Sequence, residues 1–455
     1  MAPLFLCLHM LTMALSTDRI VQLNHAGASP SPISVSKRVQ EHALFEQAVG
    51  GYAAQNEVAN ELLTVYESVA TLVQAKDPTN EIALVESATV AWTRLFYAFC
   101  QHLLGTMTTT REKQAVIWIS EAEYAANVVA ACHWARTHPG WTVRILPSTK
   151  DSVTGKSNSK VDVVRFAEIL DGPLADQAAL VCVTHIPTNS GIVNPVEEIG
   201  SLVAKHNEKH QSSRLDGMPS IWYLVDACQS VGQREINVQQ IQCHGLVATG
   251  RKYLRAPRGT GFLYCPQHVA NKIWPSHVDH YGVPIQTVPS PIGDEDDAVE
   301  DFLEFSPRPG ARRFEFWESN IGNKLGLGQA VRVALEENVS RIAASIQILA
   351  VELDQRLSEM KGVRLYREPE CGLVTFWVEG IDSGWIKNQL WERDEDGTRV
   401  EVSVVPATST PLDSAQSGAT DLLRASISYT NSIGDIVLLC SRLSSILRQL
   451  KLTVE

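Results

Sequence analysis

The sequence has no excess of positive charge: 39 lysines and arginines stand against 51 aspartates and glutamates, a formal net charge of -12. A general nucleic-acid binder needs a basic face, so this balance speaks against that class of partner. Paired cysteines are also missing. Cys7, Cys100, Cys132, Cys182, Cys228, Cys243, Cys265, Cys371 and Cys440 stand singly, several inside apolar runs, with neither metal-site spacing nor a disulfide framework. They read as reduced, mostly buried thiols, so no metal site is expected and a cytoplasmic location is. Low-complexity tracts and internal repeats are absent. So is any long apolar run: residues 2–15 are apolar but too short to span a bilayer. They also lack the charged n-region and small-residue cleavage site of a secretory signal. Residues 1–22 are therefore read as an N-terminal extension, and no membrane partner is expected.

What is present is an ordered set of apolar runs that end in chemistry. Ile221-Trp222-Tyr223-Leu224-Val225 reads as a buried strand with Asp226 at its C-terminal end, where open α/β sheets bind ligands. A second run, Gly245-Leu246-Val247-Ala248, delivers Thr249-Gly250-Arg251-Lys252, and a third follows at Gly261-Phe262-Leu263-Tyr264. An anion and an amine from neighbouring strand ends suit pyridoxal 5'-phosphate (PLP). That cofactor needs a lysine for its Schiff base and an acid to keep its ring nitrogen protonated. Taken singly, Asp226 reads as a turn residue and Lys252 as a solvated charge; together they read as a site. Arg251, Arg255 and Arg258 crowd Lys252, and their charge is expected to lower its proton affinity.

The stretch from Ala248 to Gly261 resembles the class V aminotransferases, a fold-type I PLP group. It is closest in wording to the branch of the hercynylcysteine sulfoxide lyases and isopenicillin N epimerase. Motifs in the family's order run from Asn24 to about Leu447. The resemblance implies a PLP-dependent transferase fold type I: an α/β large domain with a mainly parallel sheet, over residues 23–324, and a smaller C-terminal α/β domain, 325–455. The alternation of strand-like and helical segments between Val116 and Asp226 agrees with a parallel sheet.

Further residues take roles from the resemblance. Ser87-Ala88-Thr89 opens a helix, where backbone N–H groups and the dipole favour an anion. By residue type alone the turn is an N-cap; by resemblance Ala88 and Thr89 hold the cofactor phosphate, with Thr249 and Arg251 opposite. Tyr124 stands where desulfurases place a histidine over the pyridine ring, and an aromatic face can stack there. Thr188 replaces an Asn or Ser that touches the ring hydroxyl, and Gln229 matches a glutamine near the phenolic oxygen. Asn24 and His25, in a turn-rich loop, are implied to lie near substrate. Arg424 matches the arginine that grips the substrate α-carboxylate, a contact suited to guanidinium. The segment Arg312–Asn320 reaches a neighbouring subunit in relatives, which implies a homodimer.

The expected function is transformation of an amino acid through a Lys252 Schiff base, of aminotransferase or C–S lyase type. An epimerase or racemase is the alternative, and a catalytically silent binding protein a more distant one. Persulfide-forming desulfurases need a mobile cysteine before the last strands. Here that segment, Val402–Thr410, contains none.

Overall fold

The computed structural model describes residues 19–107, 114–150, 152, 155–210, 220–287, 304–418 and 420–452. Most of the expected N-terminal extension, and residues 288–303 of a segment rich in proline and acidic residues, lie outside them.

Seven strands form the main sheet, in the spatial order Ile82–Val85, Gly261–Tyr264, Gly245–Thr249, Trp222–Asp226, Ala178–Thr184, Ala115–Ile119 and Trp141–Ile145. Only Gly261–Tyr264 runs antiparallel to its neighbours. The inner strands are buried along their whole length, the pattern of a sheet covered on both faces. This is the mainly parallel α/β architecture expected from the sequence. Apolar clusters lie on the two faces: Val181, Tyr223 and Val225 on one, Leu180, Trp222 and Leu224 on the other.

A four-stranded antiparallel sheet follows in the C-terminal part, ordered Val363–Leu365, Leu373–Val378, Leu422–Ser426 and Ser403–Val405. Helices Val339–Ser358 and Ile433–Leu452 flank it. The first buries Ile342, Ile346, Leu349 and Leu353, the spacing of one helical face. The N-terminal strand Ile20–Gln22 pairs in parallel with Arg399–Glu401, and its Val21, with Leu23, packs in the C-terminal apolar cluster. Helix Ile321–Glu336 instead packs Leu327, Ala330 and Val331 into the larger cluster of the main sheet. The chain's two ends are thus interlaced, which fixes where residues 23–30 cross between the sheets.

Helical apolar spacing over 57–75 corresponds to helix Ala59–Val73, and a further short helix, Gly51–Glu57, precedes it. Among the described residues, no helix is long and apolar enough to cross a membrane.

Two buried histidines, His25 and His185, and the half-buried His244 make folding acid-sensitive. Burial is the first cause that lowers His25 and His244 to about 4 and His185 to about 3, from 6.5. The unfolded chain binds protons at these groups first. Their contribution is therefore complete above pH 6.5 and is lost as pH falls toward 4. Within that window each histidine costs about 1.4 kcal/mol per pH unit. The His244 Nδ1 accepts the Tyr223 N–H at 2.9 Å, a role the Asn amide oxygen can fill. His244→Asn is expected to flatten the acid slope of the urea-unfolding free energy; an unchanged slope would show that His244 does not contribute.

Candidate active site

The parallel strands of the main sheet all point their C-terminal ends to one edge, and a cavity of about 250 Å³ opens there. Its walls come from the segments that leave those strands: the turn Glu86–Thr89, then Tyr124 and Asn127, then Thr184, Ile186 and Thr188, then Asp226, Cys228 and Gln229, and finally Thr249, Arg251 and Lys252 with Arg258 and Gly259. The returning strand begins at Gly261, where a Cβ would come within 2.9 Å of the Ser87 carbonyl carbon. Glycine there lets the lysine loop lie against the turn that opens helix Ala88–Met107.

Lys252 and Asp226 both line this cavity and are both buried. Burial lowers the proton affinity of the Lys252 amine, and Arg251 and Arg424 lower it further, against Cys228 and Asp226. The expectation that Arg251, Arg255 and Arg258 produce this effect is thus corrected in part. Arg255 is turned away, donating to Pro30 O at 3.0 Å and to the Tyr429 hydroxyl at 3.1 Å. The Asp226 carboxyl is raised above the usual range, again first by burial, although the Cys228 N–H at 2.8 Å and Asn127 Nδ2 at 3.0 Å both donate to it. A cation arriving beside Asp226 would relieve that cost.

Ala88 and Thr89 occupy the first turn of their helix at the cavity wall. The Ser87 hydroxyl accepts from Val90 N at 3.2 Å, so the turn is also an N-cap. Across from it Thr249 donates to Thr260 O at 3.2 Å, and Arg251 has a buried Nη1 with no hydrogen-bond partner. Tyr124 precedes helix Ala125–Thr137 and lines the cavity, half-exposed.

Thr188 is a junction that residue type did not reveal. Its hydroxyl oxygen accepts from Gln229 Nε2 at 3.0 Å and from Arg424 Nη1 at 2.6 Å, while its carbonyl accepts Nη1 at 2.9 Å. Arg424 lies on an inner strand of the C-terminal sheet, opposite Thr375 and Ser403. It is buried, its proton affinity lowered to about 10 first by desolvation, and its Nε is unpartnered. It reaches the cavity through Thr188 and is not among the lining residues.

Asn24 and His25 are not brought into the cavity. Asn24 Nδ2 donates to Glu401 at 3.2 Å, and His25 uses both ring nitrogens, on Ser29 Oγ at 2.8 Å and Gln22 O at 3.1 Å. Their loop approaches by its backbone: Ser29 N donates to Arg251 O at 2.9 Å, and Ala26 O accepts from Gln229 Nε2 at 3.3 Å.

Sequence reasoning passed over Glu123, Asn127 and Thr184. Thr184 and Asp226 are paired neighbours on adjacent strands. Glu123 lies in the turn just before helix Ala125–Thr137, and Asn127 in that helix's first turn donates back to it at 2.8 Å.

Fold and site together define a lysine–aspartate enzyme cavity of the fold-type I kind. The Aminotransferase class-V family model matches residues 21–439, and the chain belongs to that PLP-dependent family. It is 25% identical over 432 residues, 94% of each chain, to a probable cysteine desulfurase of Methanothermobacter thermautotrophicus. A cysteine desulfurase structure from Thermococcus onnurineus NA1 superposes with a TM-score of 0.75 at 19% identity, over 94% of each chain. A structure of the cystine C–S lyase C-DES with its product cysteine persulfide gives 0.70 at 19% identity, over 95% of this chain and 98% of that one.

The cavity suits PLP on its own evidence of shape and charge. It presents a buried amine, a buried carboxyl in need of a cation, and an unpartnered guanidinium N–H opposite a helix N-terminus.

The Thr188 junction is testable by stability. Thr188→Val keeps the shape but removes the acceptor of two buried donors, and is expected to cost about 1–3 kcal/mol in urea unfolding. Thr188→Ser should stay within about 1 kcal/mol of the parent. Equal stability of the Val variant and the parent would contradict the junction.

Proposed function

We propose that this chain is a PLP-dependent C–S lyase, removing a sulfur-bearing β-substituent from an amino acid without passing the sulfur to a protein cysteine. The observation that carries the reading is a combination. The chain belongs to a PLP-dependent family and resembles proteins named cysteine desulfurases, yet Val402–Thr410 holds no cysteine. This agrees with the resemblance to the sulfoxide-lyase branch rather than with persulfide transfer.

Lys252 would carry the cofactor, Asp226 would face its ring nitrogen, and Gln229 and Thr188 its phenolic oxygen. Ala88, Thr89, Thr249 and Arg251 would hold the phosphate, and Tyr124 would cover the ring. When bound, PLP supplies an electron sink for a carbanion at the substrate Cα. Arg424 would orient the α-carboxylate through a guanidinium fork. Lys252, its amine made easier to deprotonate by burial, would take the Cα proton. Loss of the β-sulfur then gives a thiol, and hydrolysis of the remainder with one water gives a keto acid and ammonia. A homodimer belongs to the same proposal. In its support, Tyr52, Leu63 and Trp317 stay exposed around a groove that includes Arg312.

Reconstitution with PLP is expected to give a visible absorption band that Lys252→Ala abolishes. Cystine or an S-substituted cysteine should then yield keto acid and ammonia in equal amounts, with thiol or low-molecular-weight persulfide. A persulfide on the protein would make it a desulfurase. Conversion to the pyridoxamine form would indicate an aminotransferase, and Cα inversion without release an epimerase. Absence of the band would leave a silent binding protein.

Arg424→Lys keeps the charge but loses the fork. It is expected to raise KM for the amino acid by ~10- to 100-fold, with a smaller change in kcat; an unchanged KM would remove Arg424 from the carboxylate site.

A further inference from the structure

Behind Asp226 lies a second buried carboxylate that the proposed chemistry does not use. Glu123 is fully buried in the turn after strand Ala115–Ile119. Its Oε2 accepts from Ser120 Oγ at 2.5 Å and Thr184 N at 3.0 Å. Its Oε1 accepts from the Thr184 hydroxyl and from Asn127 Nδ2 at 2.8 Å. Four donors converge on two oxygens and favour the anion, against the burial that, first among the causes, raises the proton affinity of this carboxyl. Asn127 Nδ2 spends its other hydrogen on Asp226 Oδ2 at 3.0 Å. One amide group is therefore clamped between two buried carboxylates.

An amide held this way has no freedom to turn its oxygen toward Asp226. It fixes the Asp226 carboxylate while Cys228 N holds the other oxygen. Two carboxylates in a low-dielectric interior cost free energy unless a cation compensates them. Neither forms a salt bridge among the described residues, and of the two only Asp226 lines the cavity. The titratable groups facing Glu123 are Asp226, Cys182 and Tyr223; those facing Asp226 are Lys252 and Cys228. Lys252 is the only cation in this set.

We propose that Glu123 is a positioning residue that acts through Asn127 on Asp226 and so favours the protonated form of the cofactor's ring nitrogen. The inference rests on the PLP reading above. The field of a second anion raises the affinity of Asp226 for positive charge, and the Asn127 clamp aims that charge into the cavity. A purely structural Glu123, tying the turn to strand Ala178–Thr184, would affect every occupant of the cavity alike.

The test is equilibrium binding of two probes to the apoprotein, read by fluorescence quenching: PLP, and its analogue with the ring nitrogen replaced by carbon. The parent should prefer PLP. Glu123→Gln should cut that preference by ~5- to 10-fold, as should Asn127→Ala, with affinity for the analogue changed by less than about 2-fold. The pH midpoint of the PLP absorption band should move with the preference. Equal weakening of both probes, or no weakening, would overturn the proposal. If Glu123→Gln yields no soluble protein, the ratio measured on Asn127→Ala decides alone. A parent that binds neither probe through Lys252 would instead overturn the PLP reading, and this inference with it.

Discussion

Burial of charge at one edge of the sheet is the constraint from which the rest of the site follows. Strands Trp222–Asp226 and Gly245–Thr249 are buried from end to end, and Asp226 and Lys252 at their ends are largely withdrawn from bulk water. Asp226 is raised and Lys252 lowered, and burial is the first cause of both. Each group is therefore held toward its neutral form and gains from a ligand that brings the opposite charge. A cofactor with a basic ring nitrogen and an anionic phosphate answers both demands, and its aldehyde reacts with the neutral amine. The apolar runs that build the core are thus also what activates the site.

The sequence made this part legible because the periodicity of a buried strand ends visibly at a polar residue. Asp226 and Lys252 follow continuous apolar runs, and both line the cavity. Resemblance, rather than pattern, brought Arg424 into view. Nothing in Leu423-Arg424-Ala425 announces an inner strand, and its partner Thr188 lies 236 residues away. The Thr188 junction was hidden for the same reason, since Gln229 and Arg424 approach it from two different sheets. Glu123 escaped notice because a carboxylate in a polar turn reads as solvated. Only the register that sets Thr184 beside Asp226 shows that this turn is folded under the cavity.

His25 came into view by resemblance, while its Gly- and Pro-rich loop read by residue type as an ordinary turn, and the loop does lie against the lysine segment. The imidazole, however, is committed: its Nε2 faces a carbonyl and so must carry the proton, leaving Nδ1 to accept from Ser29. The loop approaches through backbone atoms, which residue type cannot reveal.

The two sheets meet at the cavity through polar contacts, and this bears on how a substrate is held. Arg424 spends Nη1 on Thr188 and keeps Nε without a partner. The guanidinium is thus oriented by a neutral hydroxyl and carbonyl rather than neutralised by a buried acid. A carboxylate salt bridge in its place would have to be broken before substrate entered, at the cost of a buried unpaired charge. Contacts to Thr188 can persist or yield with smaller loss. Because Thr188 also receives Gln229, displacement of Arg424 by a substrate carboxylate would be felt at the atoms facing the cofactor. With Arg424 in its proposed role, the junction would couple occupancy of the carboxylate site to Gln229 at the cavity wall without any further moving part.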